Sequence, residues 1–487
     1  MSSKDRVDVL IVGAGLSGIS AAVHLSKHCP DKSYALLEAR EAMGGTWDLF
    51  RYPGIRSDSD MYTLGYSFKP WTNAQAIADG PSILEYINET AQEYGVAEQI
   101  QYNSKAVAAE WSSQQARWTI TVHNTSSDQS ERTITCRFLF MCSGYYNYDQ
   151  GYTPEFEGLQ DYEGQFVHPQ QWTSDIDYKN KDVVVIGSGA TAVTLVPELA
   201  KEAKSVTMLQ RSPSYMVSGP REDVIANFFK SILPAQTAYN IIRWKNIKIS
   251  SLSYKACKKW PNTMRGIFVK GVRKELGDEY DIDTHFQPHY NPWEQRLCLV
   301  PEGELFDAIK EKRADIVTDH IDRLTPDGIK LTSGEHLNAD LIVCATGLEL
   351  KLLGGMTVKL DGAQLNTADL VCFRGAMFQD IPNMALAFGY TNASWTLKCD
   401  LVCEYVCRLL NHMDAINATS CTPRLTDDTV EKLDFVDFSS GYFKRGLHNL
   451  PKQGSHGPWV VNQNYKKDVK SFRKSDLNEA ELEYAYS

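Results

Sequence analysis

The eleven cysteines include no Cys-x-x-Cys pair, and their odd number excludes a fully paired disulfide framework. Reduced thiols in a cytoplasm are therefore expected. Long apolar runs are missing as well, and none reaches the roughly 20 residues that span a bilayer. Lys4 and Arg6, placed before an apolar stretch, imitate a signal peptide, but the glycines that follow give that stretch another explanation. Positive charge is in deficit: 50 Lys and Arg against 61 Asp and Glu leave a net charge of -11, which argues against nucleic acid as a general partner. Without secretion, the Asn-x-Ser/Thr triplets at Asn88, Asn124, Asn392 and Asn417 are chance matches. Cys399, Cys403 and Cys407 recur every four residues. A metal site and a helical stripe in a core both suit that spacing; the stripe is expected, and no metal.

What the chain does have is two glycine-rich turns in the same grammar. The first, Gly13-Ala14-Gly15-Leu16-Ser17-Gly18, follows the apolar run Val7 to Val12 and precedes Ile19 to Lys27, whose composition suits a helix. In a dinucleotide fold, Gly13 permits the tight turn, Gly15 admits a pyrophosphate, and Gly18 allows close packing of helix on strand. Glu38, twenty residues past Gly18, ends the next apolar strand, Tyr34 to Leu37. A carboxylate there accepts from ribose hydroxyls and repels a ribose phosphate, so FAD or NAD is expected. The second turn, Gly187-Ser188-Gly189-Ala190-Thr191-Ala192, runs on into Val193 and lies between strand Val183 to Ile186 and helix Thr191 to Lys201. After its next strand, Val206 to Leu209, come Gln210, Arg211 and Ser212. No acid stands there, and a guanidinium beside a hydroxyl suits a 2'-phosphate, so the expected ligand is NADPH.

The expected fold is α/β, with two Rossmann-like dinucleotide-binding domains nested in one another. Residues 1-144 and 348-487 form the FAD domain, 153-212 and 291-347 the NADPH domain, and 213-290 a helical insertion. A strand at Arg137 to Met141 ends in Cys142-Ser143-Gly144, and an aromatic, glycine-containing link from Tyr145 to Thr153 leads into the second unit. Strands near Asp315 to Val317 and Asp340 to Ala345 resume it after the insertion. Within the insertion, Val224, Ile225, Phe228, Phe229 and Ile232 share one helical face, and Met264, Ile267, Phe268 and Gly271 another. Ile241 to Lys274 holds ten Lys and Arg and no Asp or Glu, with Trp244, Tyr254 and Trp260 interleaved. A solvated positive face that steers an anionic cofactor is one account of it; peripheral contact with an anionic membrane is the other.

Gly44 to Asp58, reading GGTWDLFRYPGIRSD, resembles a signature of type I Baeyer-Villiger monooxygenases at every defined position. A second family signature is present as Tyr162-x-Gly164-xxx-His168-xxx-Trp172, with Tyr162 in place of Phe and Thr173 in place of Pro or Asp. Pro292 to Cys298, Gly389 to Lys398 and Pro451 to Ser455 narrow the resemblance to the ethionamide-activating branch, over nearly the whole chain. The resemblance implies FAD and NADPH as cofactors, and dioxygen with a ketone as substrates, giving an ester or lactone. Sulfur oxidation of thioethers or thioamides is the implied side activity, and a mainly N- or S-oxygenating flavin monooxygenase is the alternative. It further implies a catalytic Arg296, oriented by Asp58. FAD contacts are implied at Ser17, Thr46, Trp47, Asp48, Leu49, Arg56, Ser57, Asp58 and Val107, and Trp395 near the nicotinamide nucleotide. His168 is read as coupling the domains. Gln295 stands where many members have lysine, which shifts phosphate recognition onto Arg211. Pocket shape is expected to depend on Tyr62, Gly389 to Leu397 and Phe438 to Arg445; the oligomeric state is left open.

Overall fold

The computed structural model describes residues 5-126, 130-436 and 440-486; Lys4 and Phe438 lie outside the described residues. The apolar run near the amino terminus becomes β1 (Arg6–Val12), a central parallel strand buried on both faces. It turns at Gly13 into α1 (Leu16–His28) and returns as β2 (Tyr34–Leu37). Gly13 holds φ +104°, and a Cβ there would lie 2.6 Å from the Cys142 carbonyl oxygen, so only glycine makes this turn. After the short helices α2 (Thr46–Leu49) and α3 (Met61–Leu64) come α4 (Gly80–Glu93) and β3 (Ile100–Gln101). An antiparallel meander follows: β4 (Ser104–Ser112), β5 (Arg117–Asn124) and β6 (Glu131–Met141). The far end of β6 pairs in parallel with β1, so one strand joins the meander to the nucleotide-binding half.

The chain then crosses through β7 (Tyr146–Gly151) and β8 (Gln165–Val167) to β9 (Asp182–Ile186), α5 (Ala190–Leu199) and β10 (Ser205–Gln210). β11 (Met216–Gly219) opens the insertion, which continues as α6 (Val224–Ile232), α7 (Ala235–Lys259), α8 (Pro261–Leu276) and α9 (Ile282–His285). The segment is thus not helical throughout. β11 pairs in parallel with β12 (Cys298–Pro301), so the insertion is stitched to the second unit at both ends. α10 (Glu304–Lys310) and β13 (Ala314–Thr318) resume the α/β alternation. A small antiparallel sheet follows, β14 (Ile321–Thr325), β15 (Gly328–Leu331) and β16 (His336–Asn338), before β17 (Leu341–Cys344) completes a parallel sheet ordered β13-β10-β9-β17-β8.

The chain returns through β18 (Leu348–Leu350), β19 (Thr357–Leu360) and β20 (Ala363–Gln364), giving a first sheet ordered β20-β19-β4-β5-β6-β1-β2-β3, with Met384–Leu386 beside β6. α11 (Trp395–Ala415) packs on α1 and buries Cys399, Cys403 and Cys407 as one stripe. Separate apolar clusters fill both faces of each of the two large sheets, and each fully buried Val, Leu or Ile in them stabilises the fold by about 1.5–3 kcal/mol. The fold is therefore two doubly wound α/β units, the second inserted in the first.

The two chain crossings pair with each other: β7 and β18 form an antiparallel ribbon, Leu348 opposite Gly151 and Leu350 opposite Tyr146. His168 clamps it. Its Nδ1 accepts the Gln170 N–H at 3.1 Å, which leaves the proton on Nε2, 3.0 Å from the Gly347 carbonyl oxygen it donates to. Burial holds the imidazole below the usual histidine pKa, against the Gly347 bond and the Glu349 charge. Between that lowered value and about 6.5 the unfolded chain binds the extra proton, so stability falls as pH drops through this window. In His168→Gln, which keeps an N–H donor but cannot titrate, the fall in apparent Tm from pH 6.5 toward 5 is expected to be shallower than in the wild type. Parallel slopes in thermal scans at one scan rate would contradict this.

Candidate dinucleotide and substrate site

Between the two units lies a cavity of about 1020 Å³, and both glycine turns form part of its wall. Two helices start there without side-chain caps: α1 at Gly15 and α5 at Gly189. Their first-turn N–H groups and dipole ends favour anions. Space is provided where it is needed. A Cβ on Gly189 would meet nothing within 4 Å, whereas one on Gly18 would lie 1.8 Å from the Gly13 carbonyl oxygen. Gly18 is thus a packing residue under the turn, and Gly189 fronts open volume.

In the first cradle, Glu38 accepts the Ala14 N–H at 2.9 Å on one carboxylate oxygen and the Arg40 N–H at 3.0 Å on the other, which fixes it in the cavity wall. Burial raises its pKa, and those two bonds work against the rise. Trp395 donates from Nε1 to Ser17 Oγ at 2.9 Å and stacks on Tyr145 at 5.2 Å between ring centroids. The wall also includes Gly13, Gly15, Thr46, Trp47, Leu49, Arg56, Ser57 and Asp58. Arg56 reaches across to pair with Glu304 of α10, so the GGTWDLFRYPGIRSD segment ties the two units together as well as lining the site.

The second cradle brings Gly187, Ser188, Gly189, Ala190, Thr191, Arg211 and Ser212 to the same cavity. Ser188 Oγ donates to the Ser212 carbonyl oxygen at 3.0 Å, which fixes the loop that carries Arg211. Asp319 shares this wall, but its carboxylate already accepts from the N–H groups of His320 and Ser333 and the hydroxyl of Thr332.

At the seam, Arg296 Nε lies 3.5 Å from Asp58 Oδ2. Its side chain faces the open cavity, 42% exposed; local desolvation disfavours its charge, but the Asp58 charge outweighs this and holds its pKa above the usual arginine value. Burial pushes Tyr145 and Tyr442 up, so both hydroxyls stay protonated. It also pushes the neighbouring Cys298 thiol up to about 12. All eleven cysteines are buried and unpaired. A redox cysteine pair beside the first cradle, as a disulfide reductase requires, is absent among the described residues.

Five expected contact residues lie outside the cavity wall. Gly18, Ala192 and Val193 are buried beneath the turns. Asp48 is held between Arg40 at 2.7 Å and Arg51 at 2.8 Å, which accounts for its carboxylate. Val107 sits at the irregularity between β4 and β5, where pairing skips from Ala106 to Ala108; Ser104, Lys105 and Ala106 face the cavity instead. Other wall residues were not singled out from sequence: Arg40, Tyr145, Tyr146, Tyr148, Tyr152 and Lys351, whereas Tyr442 and Arg445 belong to the stretch expected to shape the pocket, with no part in phosphate recognition assigned to them. The aromatic link Tyr145 to Thr153 was the available signal for four of them. Arg445 stands over the Tyr152 ring, 3.5 Å from its centroid, and burial, with Arg211 nearby, lowers its pKa. Two cations from distant parts of the chain therefore share one region of the wall.

Comparison with known proteins supplies a lineage. Residues 69–250 match the family model of flavin-binding monooxygenase-like proteins, and residues 11–79 that of an NAD(P)-binding Rossmann-like domain. The FAD-containing monooxygenase EthA of Mycobacterium tuberculosis strain H37Rv is 53% identical over 484 residues, covering 99% of this chain and 98% of its own. Among solved structures, oxidized steroid monooxygenase bound to NADP superimposes with a TM-score of 0.76 at 20% identity, over 99% of this chain and 100% of that one. OTEMO in complex with FAD and NADP gives 0.77 at 20% identity, over 98% and 99%. These two share the fold.

The glycine turns can be probed directly. Gly18→Ala is expected to cost roughly 1–3 kcal/mol, because its methyl group meets backbone that must shift. Gly189→Ala, facing open space, is expected to stay within about 0.5 kcal/mol of the wild type. Equal losses in denaturant titrations of the two variants would contradict this assignment of roles.

Proposed function

Because this chain belongs to the EthA branch of the FAD-containing monooxygenases, we propose that it inserts one atom of dioxygen beside a ketone carbonyl to give an ester or lactone. The observation that carries this is the Arg296–Asp58 pair, standing where the two cradles open into one cavity. The first cradle fits FAD: the uncapped helix start would hold the pyrophosphate and Glu38 would accept from the ribose hydroxyls. The second fits NADPH: α5 offers the same helix start, and Arg211, Ser212 and Arg445 suit the 2'-phosphate. Arg445 answers the missing lysine at Gln295. When bound, FAD reduced by NADPH supplies the activated dioxygen.

The chain's own contribution is electrostatic. Arg296 stays charged and offers fixed N–H donors to the substrate's carbonyl oxygen as negative charge develops there. Asp58 orients it. Tyr145 and Tyr442, kept protonated, line the same cavity as the guanidinium without adding a charge. Cys298, kept as a thiol, does not compete as a nucleophile. Thioether or thioamide sulfur is the expected side substrate.

Arg296→Ala is expected to keep bound FAD and NADPH-driven flavin reduction while ester formation from phenylacetone falls about 10²- to 10³-fold. A thioether run in parallel separates the alternative. Undiminished ester yield would overturn the role of Arg296, and sulfoxide with no ester from the wild type would favour an S-oxygenase. Arg211→Ala and Arg445→Ala are each expected to lower the NADPH-to-NADH ratio of kcat/KM roughly 10- to 150-fold, the value of one charge-assisted hydrogen bond of about 1.5–3 kcal/mol. An unchanged ratio in either variant would remove that residue from phosphate recognition.

A further inference from the structure

Among the described residues, twelve large apolar side chains stand exposed, and ten of them fall between Val224 and Ile267. The insertion is therefore built differently from the rest of the surface. On α6 the apolar face sought from sequence points outward: Val224 is 78% exposed and Phe228 60%, with Ile225 and Ile232 beside them. Ala226 faces inward and Phe229 packs in part against the core. α7 packs on α6 and repeats the arrangement. Its inner face carries Tyr239, Ile242 and Cys257, with Arg243 donating to the carbonyl oxygens of Tyr62 at 2.9 Å and Gly65 at 2.7 Å and pairing with Asp400 at 3.2 Å. Its outer face, at spacings of three and four, presents Ile241, Trp244, Lys248, Leu252, Lys255 and Lys259, all exposed.

Charge is segregated in the same place. Of the ten basic residues from Ile241 to Lys274, Arg243, Lys245, Arg265 and Arg273 are engaged by protein groups. The six others, Lys248, Lys255, Lys258, Lys259, Lys270 and Lys274, are exposed, and among the described residues none has a carboxylate within salt-bridge distance. Steering of an anionic cofactor would explain the lysines but not the apolar side chains between them. A symmetric contact with a second copy would set this lysine face against itself, with no acid between Ile241 and Lys274 to compensate. An anionic lipid surface satisfies both features: apolar side chains enter the headgroup boundary while lysines meet phosphates. No helix among the described residues is long and apolar enough to cross a membrane, which leaves contact in the plane of the interface.

We propose that the outward face of α6 and α7 docks the protein on anionic lipid. The test uses the full chain loaded with FAD, sedimented with vesicles of phosphatidylcholine alone or with about 30% phosphatidylglycerol, at low salt and at about 1 M salt. The expected result is binding to the anionic vesicles at low salt, release at high salt, and little binding to the neutral ones. A double variant, Trp244→Ser with Leu252→Ser, and a triple variant, Lys248→Glu with Lys255→Glu and Lys259→Glu, are each expected to lower the partition coefficient about tenfold or more. Both should keep wild-type flavin absorbance and NADPH oxidation. No binding to anionic vesicles at low salt overturns the proposal, as does equal binding by the wild type and both variants. So does a wild-type oligomer that these substitutions dissociate and that binds no lipid.

Discussion

Two helices of this chain begin with unsatisfied N–H groups aimed into one shared cavity, and much of the architecture serves that constraint. A helix start with no cap is a fixed concentration of partial positive charge, and leaving it open is tolerable only where solvent or an anion meets it. Each start follows a parallel strand through a glycine that alone can make the turn. Gly13 is pressed against the Cys142 carbonyl and Gly187 against that of Ala345, the residues at which the chain leaves each sheet. The turns and the crossings are thus built against each other. The β7–β18 ribbon and His168 then join the two units where the chain passes between them.

The same logic distributes charge. The chain is acidic overall, yet cations gather at the seam: Arg296 held by Asp58, and Arg211 with Arg445 across the second cradle. Ionisable neighbours that would oppose them are neutralised by burial or already engaged. Tyr145 and Tyr442 are held protonated, Cys298 is held as a thiol, and Asp319 is occupied by backbone N–H groups and a hydroxyl. What remains is a cavity with fixed positive donors on two sides, suited to two phosphate-bearing nucleotides.

The strands and helices around both glycine turns were legible because local rules set them: a continuous apolar run makes a buried parallel strand, and glycine spacing marks the turn into a helix. Boundaries moved by a few residues, α1 starting at Leu16 and not Ile19 because Gly15 serves as its cap position. Glu38 and Arg211 were legible for the same reason, since they end strands at a fixed distance from their turns. Arg445 was legible only as the end of a pocket-shaping stretch; its place beside Arg211 was not, because only tertiary folding carries it from the far end of the chain to Tyr152 and Arg211. Asp48 and Val107 lie just outside the cavity wall: motif position says which loop a residue occupies, but ion pairs with Arg40 and Arg51, or one skipped residue in a strand, decide where its side chain faces. The α6 face was visible as a stripe from its spacing. That it points outward depends on how α6 and α7 pack, which periodicity does not encode.

In the function proposed, the two cradles and Arg296 act together to place one atom of dioxygen beside a carbonyl carbon. Mass spectrometry of the product from a ketone turned over under ¹⁸O₂ by the FAD-loaded protein with NADPH measures this directly. An ester carrying a single ¹⁸O atom is the result expected. Consumption of NADPH with hydrogen peroxide as the sole oxygen product, and with ketones of linear, cyclic and aromatic types all left intact, would contradict it.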